Sequence, residues 1–291
     1  DGFIKNTRPN VGLIVHNDPR WRNKIGYNEF SNQIVAIDHL KSKVPIIPSR
    51  DCKDRVNGDR WQDLHDTIIM STLELPAGRG KPGYGLKVGK DVLNGGILLA
   101  AYKNAFHPVI EFLEDCDKTE KHDPESIETV FIKYFGAEDT VYTREACRIT
   151  MIAAVARVMQ PGCKFDTAII FEGEQGIGKS TGIKRIFGSD WFGELDCDLG
   201  NKQQIAETIG GKWVMELPEL TSLTRSDVNH SKAFMSRQHD DVRMVYKQHP
   251  QEMPRQCIIF GTTNNREYLR DATGNRRYLP ILCNTESVDT V

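Results

Sequence analysis

The sequence predicts an α/β protein, a parallel sheet flanked by helices, and three observations carry that prediction. Strand-like and helix-like segments alternate through the C-terminal half. A glycine-rich loop stands between an apolar strand and a helix start, and later apolar strands deliver polar residues at their C-terminal ends.

The alternation runs as strand Thr167 to Glu172, helix Lys179 to Phe187, strand-like Trp191 to Asp196, helix Lys202 to Ile209 and strand Trp213 to Leu217. A helix from Asp227 to Arg237, a short ribbon from Val242 to Arg255, and apolar strands at Gln256 to Thr262 and Tyr278 to Cys283 complete it. Ahead of this region Thr143 is expected to cap a helix through Met159. Ile149, Ile152, Val155 and Met159 line one face of that helix before Pro161-Gly162 ends it.

The N-terminal part is less regular. From Asn10 to Ile37 short apolar runs alternate with turn signals such as Asn17-Asp18-Pro19, which suggests strands and tight turns. Between Pro45 and Gly95 the pattern is weak, and Pro76 to Gly85 reads as a Gly- and Pro-rich mobile surface loop. Helical periodicity returns in Gly96 to Asn104, Val109 to Leu113 and Ile127 to Tyr134. Residues 1–140 are therefore expected to form a mostly helical accessory domain, and 141–291 the α/β domain.

The 291 residues are 39% hydrophobic and 27% charged, enough for one large domain or two smaller ones. A formal net charge of −2 excludes a surface that is basic everywhere, so any contact with nucleic acid must be a local groove or pore. No apolar run approaches the roughly 20 residues of a membrane-spanning helix, and the N-terminus lacks a signal-peptide pattern, so a cytoplasmic location is expected. The cysteines (Cys52, Cys116, Cys147, Cys163, Cys197, Cys257, Cys283) are scattered and never spaced as CxxC, which favours free thiols over a zinc or disulfide framework. The start at Asp1 and the stop soon after a strand-like segment suggest a piece of a longer protein.

Gly173-Glu174-Gln175-Gly176-Ile177-Gly178-Lys179-Ser180 matches GxxxxGK[ST] in the strand–loop–helix context that a P-loop NTPase requires. Its glycines let backbone N–H groups turn inward around the β-phosphate of ATP. Lys179 reaches the β and γ oxygens, the Ser180 hydroxyl ligates Mg2+, and Thr181 supports the α-phosphate region.

Downstream, the strand Trp213 to Leu217 ends in two carboxylates, as needed for a metal ligand and a base that orients the attacking water. Glu216 is expected on the metal side and Glu219 near the water, although their spacing leaves the roles exchangeable. Solvated strand-end acids are the plainer reading. The strand through Cys257 to Thr262 delivers Asn264 at its C-terminal end, where open α/β sheets bind ligands, and a turn-forming Asn-Asn is the alternative. Arg276 and Arg277, just ahead of the next strand, suit a finger that stabilises charge on a neighbouring subunit's γ-phosphate, or else a surface salt bridge.

With these blocks in place, the chain resembles the virulence-associated protein E family, itself similar to the superfamily 3 helicases and poxvirus-type primase-helicases of the AAA+ class. The resemblance rests on Val155 to Asp166, the glycine loop with Ser180-Thr181, Glu216 to Leu220, Lys232 to Arg237, Pro254-Arg255-Gln256, Gly261 to Asn264 and Thr273 to Tyr278. His107 to Ile110 also fits, whereas Asp115-Cys116-Asp117 stands where the family's usual Trp-Asp-Gly follows the His-Pro block.

The resemblance implies an ATP-dependent DNA helicase motor of a phage, prophage or plasmid replication protein, working as a homo-oligomeric, hexameric ring in the cytoplasm of a bacterial host. It further implies a fused primase or polymerase elsewhere in the full protein. A β-hairpin before the sensor strand would project into the channel and grip single-stranded DNA. Lys247-Gln248-His249-Pro250 occupies that place, with Lys247 pairing with phosphate and His249 stacking or hydrogen-bonding. An ordinary polar turn competes with that assignment. The rival functions are an ATPase switch or loader without unwinding, a non-enzymatic DNA-binding oligomerisation module and, more remotely, a small-molecule kinase.

Overall fold

A computed structural model describes residues 4–37, 59–78, 81–118, 126–196, 199–218, 225–242, 251–265 and 275–284. The chain divides into two compact units, Asp1–Glu111 and Phe112–Val291, so the division falls ahead of the boundary at 140 drawn from sequence.

The first unit holds helices α1 (Arg8–Asn17), α2 (Asp63–Glu74) and α3 (Lys90–Tyr102). Its small sheet joins β1 (Ile25–Asn28), β2 (Gln33–Ala36), β3 (Asp59–Arg60) and β4 (Ala105–Phe106) in the order β3-β2-β1-β4. The expectation of strands from Asn10 is corrected at its start. Val11 to Val15 is helical, because a proline is accommodated in the first turn and Val11 and Val15 fall on one face. That face lies tightly on α3, where a Cβ added to Gly96 would come within 2.4 Å of Val11 Cγ1. The turn signal after it holds, since Asp18 caps the end and accepts from the Arg20 backbone N–H and the Tyr84 hydroxyl, each at 2.8 Å. The weak pattern before Gly95 conceals α2, whose start is fixed by a reciprocal Gln62–His65 capping box.

In the second unit five strands form one parallel sheet: β5 (Ala168–Glu172), β6 (Phe192–Glu194), β7 (Val214–Leu217), β10 (Ile258–Thr263) and β11 (Tyr278–Leu282), in the order β11-β5-β10-β7-β6. Helices α5 (Ser126–Phe135), α6 (Val141–Met159), α7 (Lys179–Phe187), α8 (Lys202–Ile209) and α9 (Arg225–Ser236) accompany it, and the division between the units falls within α4 (Pro108–Lys118). An antiparallel ribbon of β8 (His239–Val242) and β9 (Gln251–Pro254) follows α9.

Both faces of the sheet are covered, as buried parallel strands require. On one side Phe171 and Phe260 pack against Phe131, Phe135 and Phe187. On the other, Ile170, Met215 and Ile259 pack with Ile205, Phe234 and Met235. Each such side chain contributes roughly 1.5–3 kcal/mol through apolar burial.

Helix α6 differs from expectation twice. Its N-cap is Thr140, whose hydroxyl accepts from the Thr143 backbone N–H at 3.1 Å, so Thr143 lies within the first turn. Its buried side is not the aliphatic stripe. Ala146, Cys147, Thr150, Ala153, Ala154 and Arg157 face inward, while Ile152 and Met159 are 48% and 45% exposed. Apart from Arg157, whose Nη2 donates to the Phe165 carbonyl at 2.6 Å, these inward side chains are small and allow close packing of the helix.

Candidate functional site at the carboxyl edge of the sheet

The parallel register places three sequence-predicted features at one edge. The glycine loop follows β5, Glu216 lies near the end of β7, and Asn264 follows β10. A parallel sheet brings the carboxyl ends of its strands together, and ligands of such sheets bind there.

The loop ends at Gly178, which caps α7 with φ +85°, and Gly176 has φ +87°, both conformations that glycine adopts without a steric cost. A Cβ on Gly176 would meet nothing within 4 Å, so open space borders the loop. On the inner side there is none, because a Cβ on Gly173 would lie 2.8 Å from the Cys283 carbonyl oxygen. Lys179 and Ser180 occupy the first turn of α7, where backbone N–H groups have no intrahelical carbonyl and the helix dipole favours an anion. Lys179 Nζ spans the loop, donating to the carbonyls of Gly173 and Glu174 at 2.8 Å each, and burial pulls its ammonium below the usual lysine range.

Glu216 is 2% exposed and is the junction of the site. Its Oε1 accepts from the Ser180 hydroxyl at 2.7 Å and from the Thr262 hydroxyl at 2.6 Å. Its Oε2 is buried and has no hydrogen-bond partner among the described residues. Register explains the meeting: Glu216 pairs with Phe260, and Thr262 stands two residues further on the same face of β10.

Residues 113–291 match the family model of the virulence-associated protein E-like domain, a span that coincides within one residue with the second compact unit. The chain belongs to this family. It is also similar to the apo C-terminal region of NrS-1, at 20% identity and a TM-score of 0.37, with 57% of this chain and 38% of that one covered. A second apo structure of the same region gives 19%, 0.38, 56% and 39%. The chain thus spans well under half the length of these structures. No curated protein matches it.

Within this family member, the structure separates the other site candidates. Asn264 is exposed at the carboxyl edge, held in a turn where the Thr263 hydroxyl accepts from the Asn265 N–H at 3.1 Å. Arg276 and Arg277 precede β11, which starts level with Ala168, so they lie at the opposite edge, about 13 Å along the strand from the glycine loop. Arg276 is exposed, and Arg277 Nε donates to Ser236 Oγ at 3.2 Å. Glu219, Lys247 and His249 lie outside the described residues. Thr181 is exposed on α7, as are Glu174 and Gln175 in the loop, and Ile177 is half-buried.

Sequence reasoning missed Thr262. A hydroxyl two residues before a strand-end asparagine carries no signal of its own, and only the register to β7 makes it a partner of Glu216. Among the described residues no group of three His, Cys, Asp or Glu side chains forms a metal cluster, and no helix is long and apolar enough to cross a membrane.

Proposed function

We propose that this chain is a P-loop ATPase of the AAA+, superfamily 3-like kind, the ATP-dependent DNA helicase motor of a phage- or plasmid-type replication protein. The observation that carries the reading is the buried Glu216, joined to Ser180 and with one oxygen unpartnered among the described residues, beside a glycine loop and its lysine.

The donor set fits magnesium: a hydroxyl and a carboxylate oxygen, both hard ligands, with few protein groups and room for phosphate oxygens and water. Ser180 and Glu216 would hold the ion, which when bound supplies neutralisation of the β and γ oxygens. The amides of Gly173 to Ser180 and the Lys179 ammonium bind and orient the phosphate tail. Asn264 positions the attacking water, and Glu219 takes its proton as the bond to the leaving β-phosphate breaks.

Arg276 and Arg277 stand at the opposite end of the sheet from the glycine loop of their own chain. The same two side chains suit a neighbour's nucleotide in a homo-oligomeric ring, hexameric by family analogy. The segment between β8 and β9 carries Lys247 and His249, which grip single-stranded DNA, and a primase or polymerase would be fused elsewhere in the full protein.

The test is the ATPase rate with and without single-stranded DNA, beside Lys179→Ala. Turnover that rises with DNA and vanishes in the variant is the expected result, and equal rates in the variant overturn the reading. Displacement of a strand from a forked duplex separates a helicase from a loader that hydrolyses ATP without unwinding.

A further inference from the structure

Glu216 is buried, yet among the described residues one of its two oxygens takes every hydrogen bond it receives. The hydroxyls of Ser180 and Thr262 reach it from residues 36 and 46 positions away, and both choose Oε1. An orphaned buried oxygen costs roughly 1–3 kcal/mol, so an arrangement that satisfies one oxygen twice and the other never calls for a physical reason. The two donors are not equivalent. Ser180 sits in the first turn of α7 at the mouth of the loop, has a single proton and gives it to Glu216. Thr262 is 8% exposed and belongs to β10, which lies in the middle of the sheet with β5 and β7 as its hydrogen-bonded neighbours. Its backbone is therefore fixed, and its hydroxyl gives Glu216 a stationary anchor.

We propose that Thr262 is the positioning residue of the metal site: by holding Oε1 it aims Oε2 of Glu216 at the nucleotide-bound divalent cation. This rests on the ATPase reading and assigns a role to a residue that does not touch the substrate. One donor leaves a carboxylate free to rotate about that bond. Two donors on the same oxygen, one from a sheet and one from a helix, restrict that rotation and leave the second oxygen for the ion. The Ser180 oxygen keeps its lone pairs for the same ion while its O–H points at Oε1.

The experiment titrates Mn2+ into the protein with a non-hydrolysable ATP analogue and follows free Mn2+ by electron paramagnetic resonance. Nucleotide binding in chelator is measured alongside. Thr262→Val removes the hydroxyl at similar volume, and Thr262→Ser retains it. Loss of a partner that orients a metal ligand costs about 10–100-fold in metal affinity. Thr262→Val is therefore expected to weaken Mn2+ by that factor with metal-free nucleotide binding unchanged, and Thr262→Ser to stay within about threefold of wild type.

In a Glu216→Gln background Thr262→Val should have no further effect on Mn2+ binding, and the Thr262→Ser arm keeps the inference open to refutation if Thr262→Val folds poorly. Mn2+ binding as tight in Thr262→Val as in wild type overturns this inference alone, as does an equal loss in Thr262→Ser. Wild-type protein that takes up neither nucleotide nor Mn2+ overturns the ATPase reading together with it.

Discussion

Two buried carboxylates of the second unit, Glu216 and Asp240, are treated in opposite ways. Asp240 in β8 is 5% exposed and saturated: Arg255 donates Nε to Oδ2 at 2.9 Å and Nη2 to Oδ1 at 2.8 Å. The same guanidinium donates to the Phe234 carbonyl and lies 4.3 Å from the centre of the Phe234 ring. Arg255 thereby ties the ribbon to the end of α9, and its backbone carbonyl accepts from Gly162 after α6 at 3.0 Å. Glu216 has no cation paired to it among the described residues and keeps an oxygen unsatisfied. The lesson is that burial alone does not define an acid's role: one with a full bidentate partner holds elements together, whereas Glu216 is held by two hydroxyls on a single oxygen. The amino edge adds Arg276 and Arg277, so the sheet carries the buried acid Glu216 toward one end and a pair of guanidinium donors at the other.

The arginines give the strongest test of that polarity. Arg276→Ala and Arg277→Ala should bind nucleotide normally, and at least one should lose turnover about a thousandfold or more, as trans-acting fingers do. Mixing that variant with Lys179→Ala protein should restore part of the activity in hybrid rings. Normal hydrolysis by both arginine variants breaks the assignment.

Next in size is the saturated acid. Asp240→Ala leaves Arg255 buried and unpaired, and should lower unfolding free energy by about 3–5 kcal/mol in chemical denaturation. A loss below about 1 kcal/mol would show that the pair is not structural.

Glu216→Gln should do the reverse. Its remaining oxygen still accepts both hydroxyls and a buried charge is removed, so stability is flat or higher, while hydrolysis falls by about 100-fold or more. Equal loss of stability in both variants would erase the distinction between the two acids.

Smallest of all, Ile152→Gln on the outer side of α6 should change stability by less than about 0.5 kcal/mol. Ala153→Leu, on the buried side, should cost about 1–3 kcal/mol by overpacking.

The second unit was more legible than the first because its signals are local. Glycines at fixed offsets before Lys179 and a strand of Ile169, Ile170 and Phe171 ahead of them define loop and strand without knowledge of neighbours. Helix α7 begins at Lys179 and ends at Phe187 where the pattern puts it, and α8 runs over Lys202–Ile209 likewise. In the first unit α1 was misread, since five consecutive apolar or small residues, Val11 to Val15, fit a buried strand as well as a helix and only packing on α3 separates the two. The Thr140 cap was missed for a similar reason: Thr140 and Thr143 both suit a cap, and the choice depends on where the chain leaves α5.

By itself the sequence determined the alternation of strands and helices, the glycine loop with Lys179 and Ser180, and the presence of an acid at the end of β7. These depend on periodicity and on spacing within a few residues, which the chain carries wherever it folds. Tertiary structure alone decided which side of α6 is buried and that Thr262 meets Ser180 on one oxygen of Glu216. It also decided that the paired arginines stand at the far edge from the loop. Those facts follow from strand order and register, which join residues dozens of positions apart, and local sequence does not encode a distance between strands that are not neighbours along the chain.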